Sequence, residues 1–221
     1  MLKRTLESVC AQNADGIFTF SVVVADNDKT ESGRALVEEV ASQVPIEVRY
    51  CVEPQQNIAM ARNKAVENAK GDFIAFIDDD EFLAGDWLIP LLKTLKEYGV
   101  DGVLGPVNPH FDAGAPEWVI RGRFYDRPVH PTGMALQWRH CRTGNVLLKR
   151  ELFAGDTRPF KPECLSGEDQ DFFRRKIEEG KRFVWCHEAA DIEVVPPVRW
   201  KRSFLMRRPL FRGVFEQRNH V

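Results

Sequence analysis

Residues 71–81 read Gly-Asp-Phe-Ile-Ala-Phe-Ile-Asp-Asp-Asp-Glu, an apolar run that passes directly into four consecutive carboxylates. The run at 72–77 has the composition of a buried strand. No such strand can carry four adjacent like charges into an interior without partners. The chain must therefore fold so that the carboxyl end of this strand opens to something positive. A divalent cation shared with a phosphate-bearing ligand meets that requirement, because hard cations take carboxylate and phosphate oxygens together.

The surrounding pattern fixes the fold class. Helical spacing at 2–12 is followed by a β-branched and aromatic strand at 17–25, which stops at Asp26-Asn27-Asp28. A helix at 31–43, a strand at 46–52, a helix at 58–69 capped by Asn57, the strand at 72–77, a helix at 85–98 and a strand at 100–105 complete an alternation. Strands alternating with helices of this length predict an α/β fold built on a mostly parallel sheet with flanking helices. The second half reads as an irregular connection over 106–135, a strand over 133–149 around Thr143-Gly144-Asn145, a helix at 168–179 and a short strand at 182–186. Pro196-Pro197 precedes a basic, amphipathic segment. Between 199 and 218 it carries seven Arg or Lys against one Glu. One domain in two halves, 1–105 and 106–198, is expected, followed by the tail at 199–221.

With 221 residues, 43% hydrophobic and 29% charged, the chain reads as one globular unit, and a net charge of −2 gives no nucleic-acid signature. Five cysteines without a CxxC pair argue against a disulfide framework and for a reducing, cytoplasmic setting. No stretch reaches the roughly 20 apolar residues of a membrane span. Met-Leu-Lys-Arg-Thr-Leu-Glu opens a helix and does not read as a signal peptide.

Ligands in open parallel sheets bind beyond the carboxyl ends of strands. Asp26 and Asp28 close one strand, and Asp78, Asp79 and Asp80 close another; if the strands are neighbours, the acids share a crevice. Taken singly, each cluster also reads as a loop with a helix cap. In an extended segment Asp78 and Asp80 point the same way, so either or both can touch Mg²⁺ or Mn²⁺ whose shell a diphosphate completes. Gly167-Glu168-Asp169-Gln170-Asp171 opens a helix. Its acids fit the helix dipole, and one of them also fits a general base for an acceptor hydroxyl. Arg62-Asn63 reads either as a solvated helix face or as a donor aimed at a nucleotide. His187 reads as structural or as a metal ligand. Trp118, Phe124, Tyr125, Trp138 and Trp185 are core residues or a sugar platform.

The stretch from Asn57 through Ala61-Arg62-Asn63 to Asp78-Asp79-Asp80-Glu81 resembles the family 2 glycosyltransferases of the GT-A fold. So do the opening Leu2-Lys3-Arg4-Thr5-Leu6, the strand ending at Asp26-Asn27-Asp28, the Thr143-Gly144-Asn145 segment and Gly167-Glu168-Asp169. Arg207-Arg208 and Phe211-Arg212-Gly213 are similar to the bacterial exopolysaccharide transferases of the succinoglycan type. The resemblance implies a nucleotide-sugar donor, UDP-linked, a divalent metal, and inversion by single displacement onto a glycan or lipid-linked acceptor. It implies Asp26 and Asp28 at the base or ribose, Arg62 and Asp79 near the nucleotide, Asp78 at ribose or metal, and Asp80 on the metal. It implies Asp169 as the base, with Glu168 near the acceptor. Halves 1–105 and 106–198 then become donor and acceptor sides. Family members begin with an apolar strand and a Thr-Tyr-Asn-Arg-like turn ahead of the first helix, and this chain starts at that helix. A fold lacking its first strand is the expectation. An inactive nucleotide-binding relative, or another metal-dependent nucleotide enzyme such as a nucleotidyltransferase, is the alternative. The tail admits two readings, a solvated helix packed on the domain or a peripheral contact with anionic lipid at the inner membrane face. In the second, Phe204, Leu205, Met206, Leu210, Phe211, Val214 and Phe215 form the apolar side.

Overall fold

The computed structural model describes residues 1–164 and 167–206. The part of the basic tail from 207 to 221, with Arg207, Arg208, Phe211, Arg212 and Gly213, lies outside the described residues. The first half runs α1 (Leu2–Cys10), β1 (Val22–Asp26), α2 (Arg34–Ala41), β2 (Val48–Val52), α3 (Ile58–Asn68), β3 (Phe73–Phe76), β4 (Glu81–Leu83), α4 (Leu88–Tyr98) and β5 (Gly102–Leu104). The second adds β6 (Val107–His110), α5 (Glu117–Arg121), β7 (Val146–Lys149), α6 (Glu168–Glu178), β8 (Phe183–Trp185) and β9 (Asp191–Val194).

The strand expected at 17–25 begins only at Val22, and of the one expected at 133–149 only the last four residues pair as a named strand. β4, β6, α5 and β9 are additions to the expected pattern. β6 contains Pro109, which lacks an amide and so reads poorly as strand. It sits at the edge of the ladder β4-β9-β6, where that amide is not needed.

The described strands form three sheets, and the pairing is mixed in direction. Among the described residues, β1-β2, β5-β8 and β6-β9 are parallel, whereas β3-β7, β5-β7 and β4-β9 are antiparallel. β7 causes most of the difference, because it enters between β3 and β5 in the opposite direction.

The best-packed core lies in the second half. Phe172 and Phe173 of α6 are fully buried against Phe153, Phe160 and Phe183. Their rings stack or meet edge-on, with centroids 4.9–5.4 Å apart. In the first half, among the described residues, β1 pairs only with β2 and β3 only with β7. The remaining edges of β1 and β3 both line one cavity of about 1360 Å³, whose walls include Leu6 and Val9 of α1 and Ala61, Arg62 and Ala65 of α3.

Candidate active site

The acidic run does not continue β3 as an extended strand. It forms a turn in which the Glu81 amide donates to the Asp78 carbonyl at 3.2 Å. The period-two rule therefore lapses, and Asp78 and Asp80 part company. Asp78 and Asp79 line the large cavity. Asp80 turns toward a smaller one of about 170 Å³ formed with Met1, Arg4 and Phe82. Glu81 goes inward: it is 1% exposed, and its Oε2 accepts the Asp78 amide at 2.8 Å. Gly144 is required beside it, since a Cβ there would lie 2.8 Å from Glu81 Oε1 and 3.4 Å from Asp78 Oδ2.

Behind Glu81 lies Asp191, fully buried. Among the described residues, Glu81 Oε1 and both Asp191 oxygens have no donor. The two carboxyl groups lie together, and they can bond only if one holds a proton. Burial pushes both upward, Asp191 to about 8. Asp80 is raised to about 6 by burial, then by Glu193, with Arg199 opposing. Arg199 joins these acids: it lies 3.4 Å from Asp80 Oδ2 and donates to Glu193 Oε1 at 2.9 Å. Arg127 pairs with the other Glu193 oxygen. Sequence reasoning missed Glu81, Asp191, Glu193, Arg127 and Arg199. The alternation Asp191-Ile192-Glu193 was the available signal, as an acidic face on a short strand.

Arg62 brings the two halves together. It is neither a solvated residue nor a free donor. Its side chain is 12% exposed, lies 3.6 Å from Asp78 Oδ1 and is hydrogen-bonded to Glu168 Oε1. α3 is held in place for this by its cap. Asn57 Oδ1 accepts the amides of Ala59 and Met60, and the Asn57 amide donates to Asn27 Oδ1. Asn63, one residue on, is a clasp: its amide group exchanges two hydrogen bonds with the backbone of Phe160, at 2.8 and 3.0 Å.

Glu168 opens α6 after Gly167, whose φ of 81° suits glycine. Its side chain is 5% exposed, and burial raises it while Arg62 draws it back. Glu168 is thus committed to Arg62. Asp169 is half-buried, next to Glu168, and its charge acts on the buried Cys141 thiol. Its Oδ1 accepts the amide of Gln170 at 2.7 Å. Among the described residues, Asp169 is the carboxylate at this helix start that no cation engages.

Asp26 also reaches the large cavity. Its oxygens are already engaged, accepting from the Asp28 and Gly33 amides and from the Tyr50 hydroxyl at 2.7–3.0 Å. Asp28 is bonded to Thr30, which lowers its pKa. Asn27 ties the β1 end to the carbonyls of Glu53 and Gln55. His187 is exposed and its amide donates to Thr132. Of the aromatic candidates, Tyr125 and Trp185 are buried, Trp138 is partly buried, and Trp118 and Phe124 are exposed.

Among the described residues no three His, Cys, Asp or Glu side chains are grouped to hold a metal ion. The chain offers Asp80 on one side of the turn and Asp78 on the other. Single carboxylates suit a hard cation that draws most of its shell from a diphosphate and water. They do not suit a metal that needs an all-protein cage.

The glycosyl transferase family 2 model matches residues 1–154. The succinoglycan biosynthesis protein ExoM of Rhizobium meliloti is 39% identical over 210 residues, covering 94% of this chain and 67% of that protein. The glucosyl-dolichyl phosphate glucuronosyltransferase of Haloferax volcanii is 29% identical over 190 residues, covering 84% of this chain and 55% of that protein. Staphylococcus aureus TarS 1–349 in complex with UDP-GlcNAc superposes with a TM-score of 0.64 at 19% identity, over 88% of this chain and 55% of that one. GalNAc-T7 with UDP, GalNAc and Mn²⁺ gives 0.63 at 16% identity, over 88% and 41%. The chain thus spans from under half to about two thirds of these proteins, and its element order is that of the GT-A fold. By the extent of the family match and the likeness to ExoM, this chain belongs to glycosyl transferase family 2.

Proposed function

We propose that the chain transfers a sugar, with inversion, from a UDP-linked donor to a glycan or lipid-linked acceptor in exopolysaccharide biosynthesis. The observation that carries this reading is Arg62, which contacts the donor-side Asp78 and the α6 residue Glu168 together. That contact holds the Asp169 helix start against the acidic turn. In this reading Asp26, Asp28 and Asp79 face the base and ribose, and Arg62 and Asp78 flank the nucleotide. Asp80 lies at the diphosphate. Asp169 accepts the proton of the acceptor hydroxyl as its oxygen bonds to the anomeric carbon and the bond to the diphosphate oxygen breaks. Glu168, neutralised by Arg62, positions that helix start. Mg²⁺ or Mn²⁺ held by Asp80, with Asp78 nearby, would offset the charge gathering on the leaving diphosphate.

The inactive nucleotide-binding alternative draws support from the open cavity between β1 and β3, which leaves the Asp26 wall apart from the Asp78 wall. Incubation with UDP-sugars and acceptor lipids, read by mass spectrometry, separates the two. The transferase reading expects product that requires Mg²⁺ or Mn²⁺ and is lost in Asp80→Ala. Nucleotide binding without product under any donor would favour the alternative.

A further inference from the structure

Three neighbouring pairs of residues in the second half are arranged alike, one large apolar side chain turned in and the next turned out. Val119 of α5 is fully buried while Trp118 and Ile120 beside it are exposed. Tyr125 is buried and Phe124 is 47% exposed. Leu205 packs on the cluster of Val119, Tyr125 and Val195, whereas Met206 is 73% exposed. This corrects the expected apolar side of the tail, since Leu205 belongs to the core. The inward members are fixed: the Tyr125 hydroxyl donates to the Arg199 carbonyl, and Trp200 Nε1 donates to the Val195 carbonyl at 2.8 Å. The outward members are therefore presented by a packed base and do not arise from a loose segment.

Trp118, Phe124 and Met206 lie together with bases at their border, whereas Ile120, two positions from Trp118 on α5, points away from it. Trp118 meets Phe124 edge-on with centroids 6.1 Å apart, and the Arg202 guanidinium lies 5.2 Å from the Trp118 ring centre. Residues 202–206 are helical, so Arg202 and Met206 share a face. Lys201 and Arg202 are exposed. The whole chain has a net charge of −2, yet 199–218 carries seven bases against one acid, so the positive charge is concentrated at this end. Among the described residues no helix is long and apolar enough to cross a membrane.

From this arrangement we infer that Trp118, Phe124 and Met206, bordered by Lys201 and Arg202, form a surface that docks on an anionic bilayer. An aromatic pair with a guanidinium over its ring suits the headgroup level, where one part of the side chain is apolar and the other is wet. The basic border supplies the attraction to anionic lipid. The aromatic pair makes the contact more than electrostatic. The inference does not depend on sugar transfer, and a charge surface limited to residues beyond 206 would not produce it.

Co-sedimentation of the full chain with phosphatidylglycerol-containing and with pure phosphatidylcholine vesicles, at low and high salt, tests it. Binding is expected only with the anionic vesicles and is expected to weaken with salt. The paired substitution Trp118→Ala with Phe124→Ala should lower the affinity roughly tenfold, a loss of about 1.4 kcal/mol. Lys201→Glu with Arg202→Glu should lower it at least as far. Circular dichroism and UDP calorimetry on the same variants show that they remain folded. Equal binding to neutral vesicles, unchanged binding by both variants, or a wild-type chain that self-associates through Trp118 and ignores vesicles would each overturn the proposal.

Discussion

β1 and β5 are both short, apolar strands, yet every residue of β5 is buried and every residue of β1 is half exposed. The difference lies in their neighbours. β5 is held between β7 and β8 under α4, with Leu91, Leu92 and Leu95 packed in one cluster with its own Val103. β1 has one partner strand, and its other edge faces the cavity it shares with β3. The region around β5 is thus closed by its own residues. The region around β1 keeps backbone and side chains open where the nucleotide is proposed to lie. Stability should reside mainly in the first region and adaptability in the second.

The sharpest way to break this comparison is to cut equal features from the two sides. Val103→Ala removes two methyl groups from a fully buried β5 side chain and should cost about 2–3 kcal/mol in guanidinium unfolding. Val24→Ala on half-buried β1 should cost only about 1 kcal/mol. Similar losses would mean the two sides are equally packed. The same contrast should appear in amide hydrogen exchange, with β1 and β3 exchanging well ahead of β5 and β7.

Arg62 is the joint between the regions, and its removal tests whether they act as one site. Arg62→Ala leaves buried Glu168 without its counter-charge and should cost about 3 kcal/mol. Adding Glu168→Gln should recover part of that loss, and full additivity would show that the bridge carries no coupling.

A pH effect distinguishes the carboxyl pair under the acidic turn. Burial holds Asp191 at about 8 beside the raised Glu81, with Asp78 and Glu193 repelling and Arg127 opposing. The folded protein therefore keeps a proton that the unfolded chain releases near 4. Stability should fall as pH rises from about 4 to about 8 and then level, at up to about 1.4 kcal/mol per pH unit. Asp191→Asn should flatten that slope. A wild-type profile that rises across this window would contradict the shared proton.

Much of this was legible from residues alone. The helix capped by Asn57, the strand at 73–76 and the α6 start after Gly167 follow from local chemistry: a side-chain acceptor, β-branched and aromatic residues, a left-handed glycine. What escaped was set by distant partners. β4 and β9 exist because each supplies the other's hydrogen bonds, and neither three- or four-residue segment has enough pattern to announce itself. The expectation that Asp78 and Asp80 point together failed because Glu81, adjacent in sequence, is drawn inward by Asp191 more than a hundred residues away and bends the run into a turn. Asn63 likewise reads as surface helix until Phe160 arrives to take its two hydrogen bonds.

The division of labour between the two sides rests most directly on Asp169. Calorimetric titration with UDP and turnover with a UDP-sugar should be measured on the same preparations of wild type and Asp169→Asn. The account predicts UDP affinity within about a factor of two and turnover lower by about 10²–10⁴-fold. Undiminished turnover, or UDP binding lost in step with turnover, would contradict it.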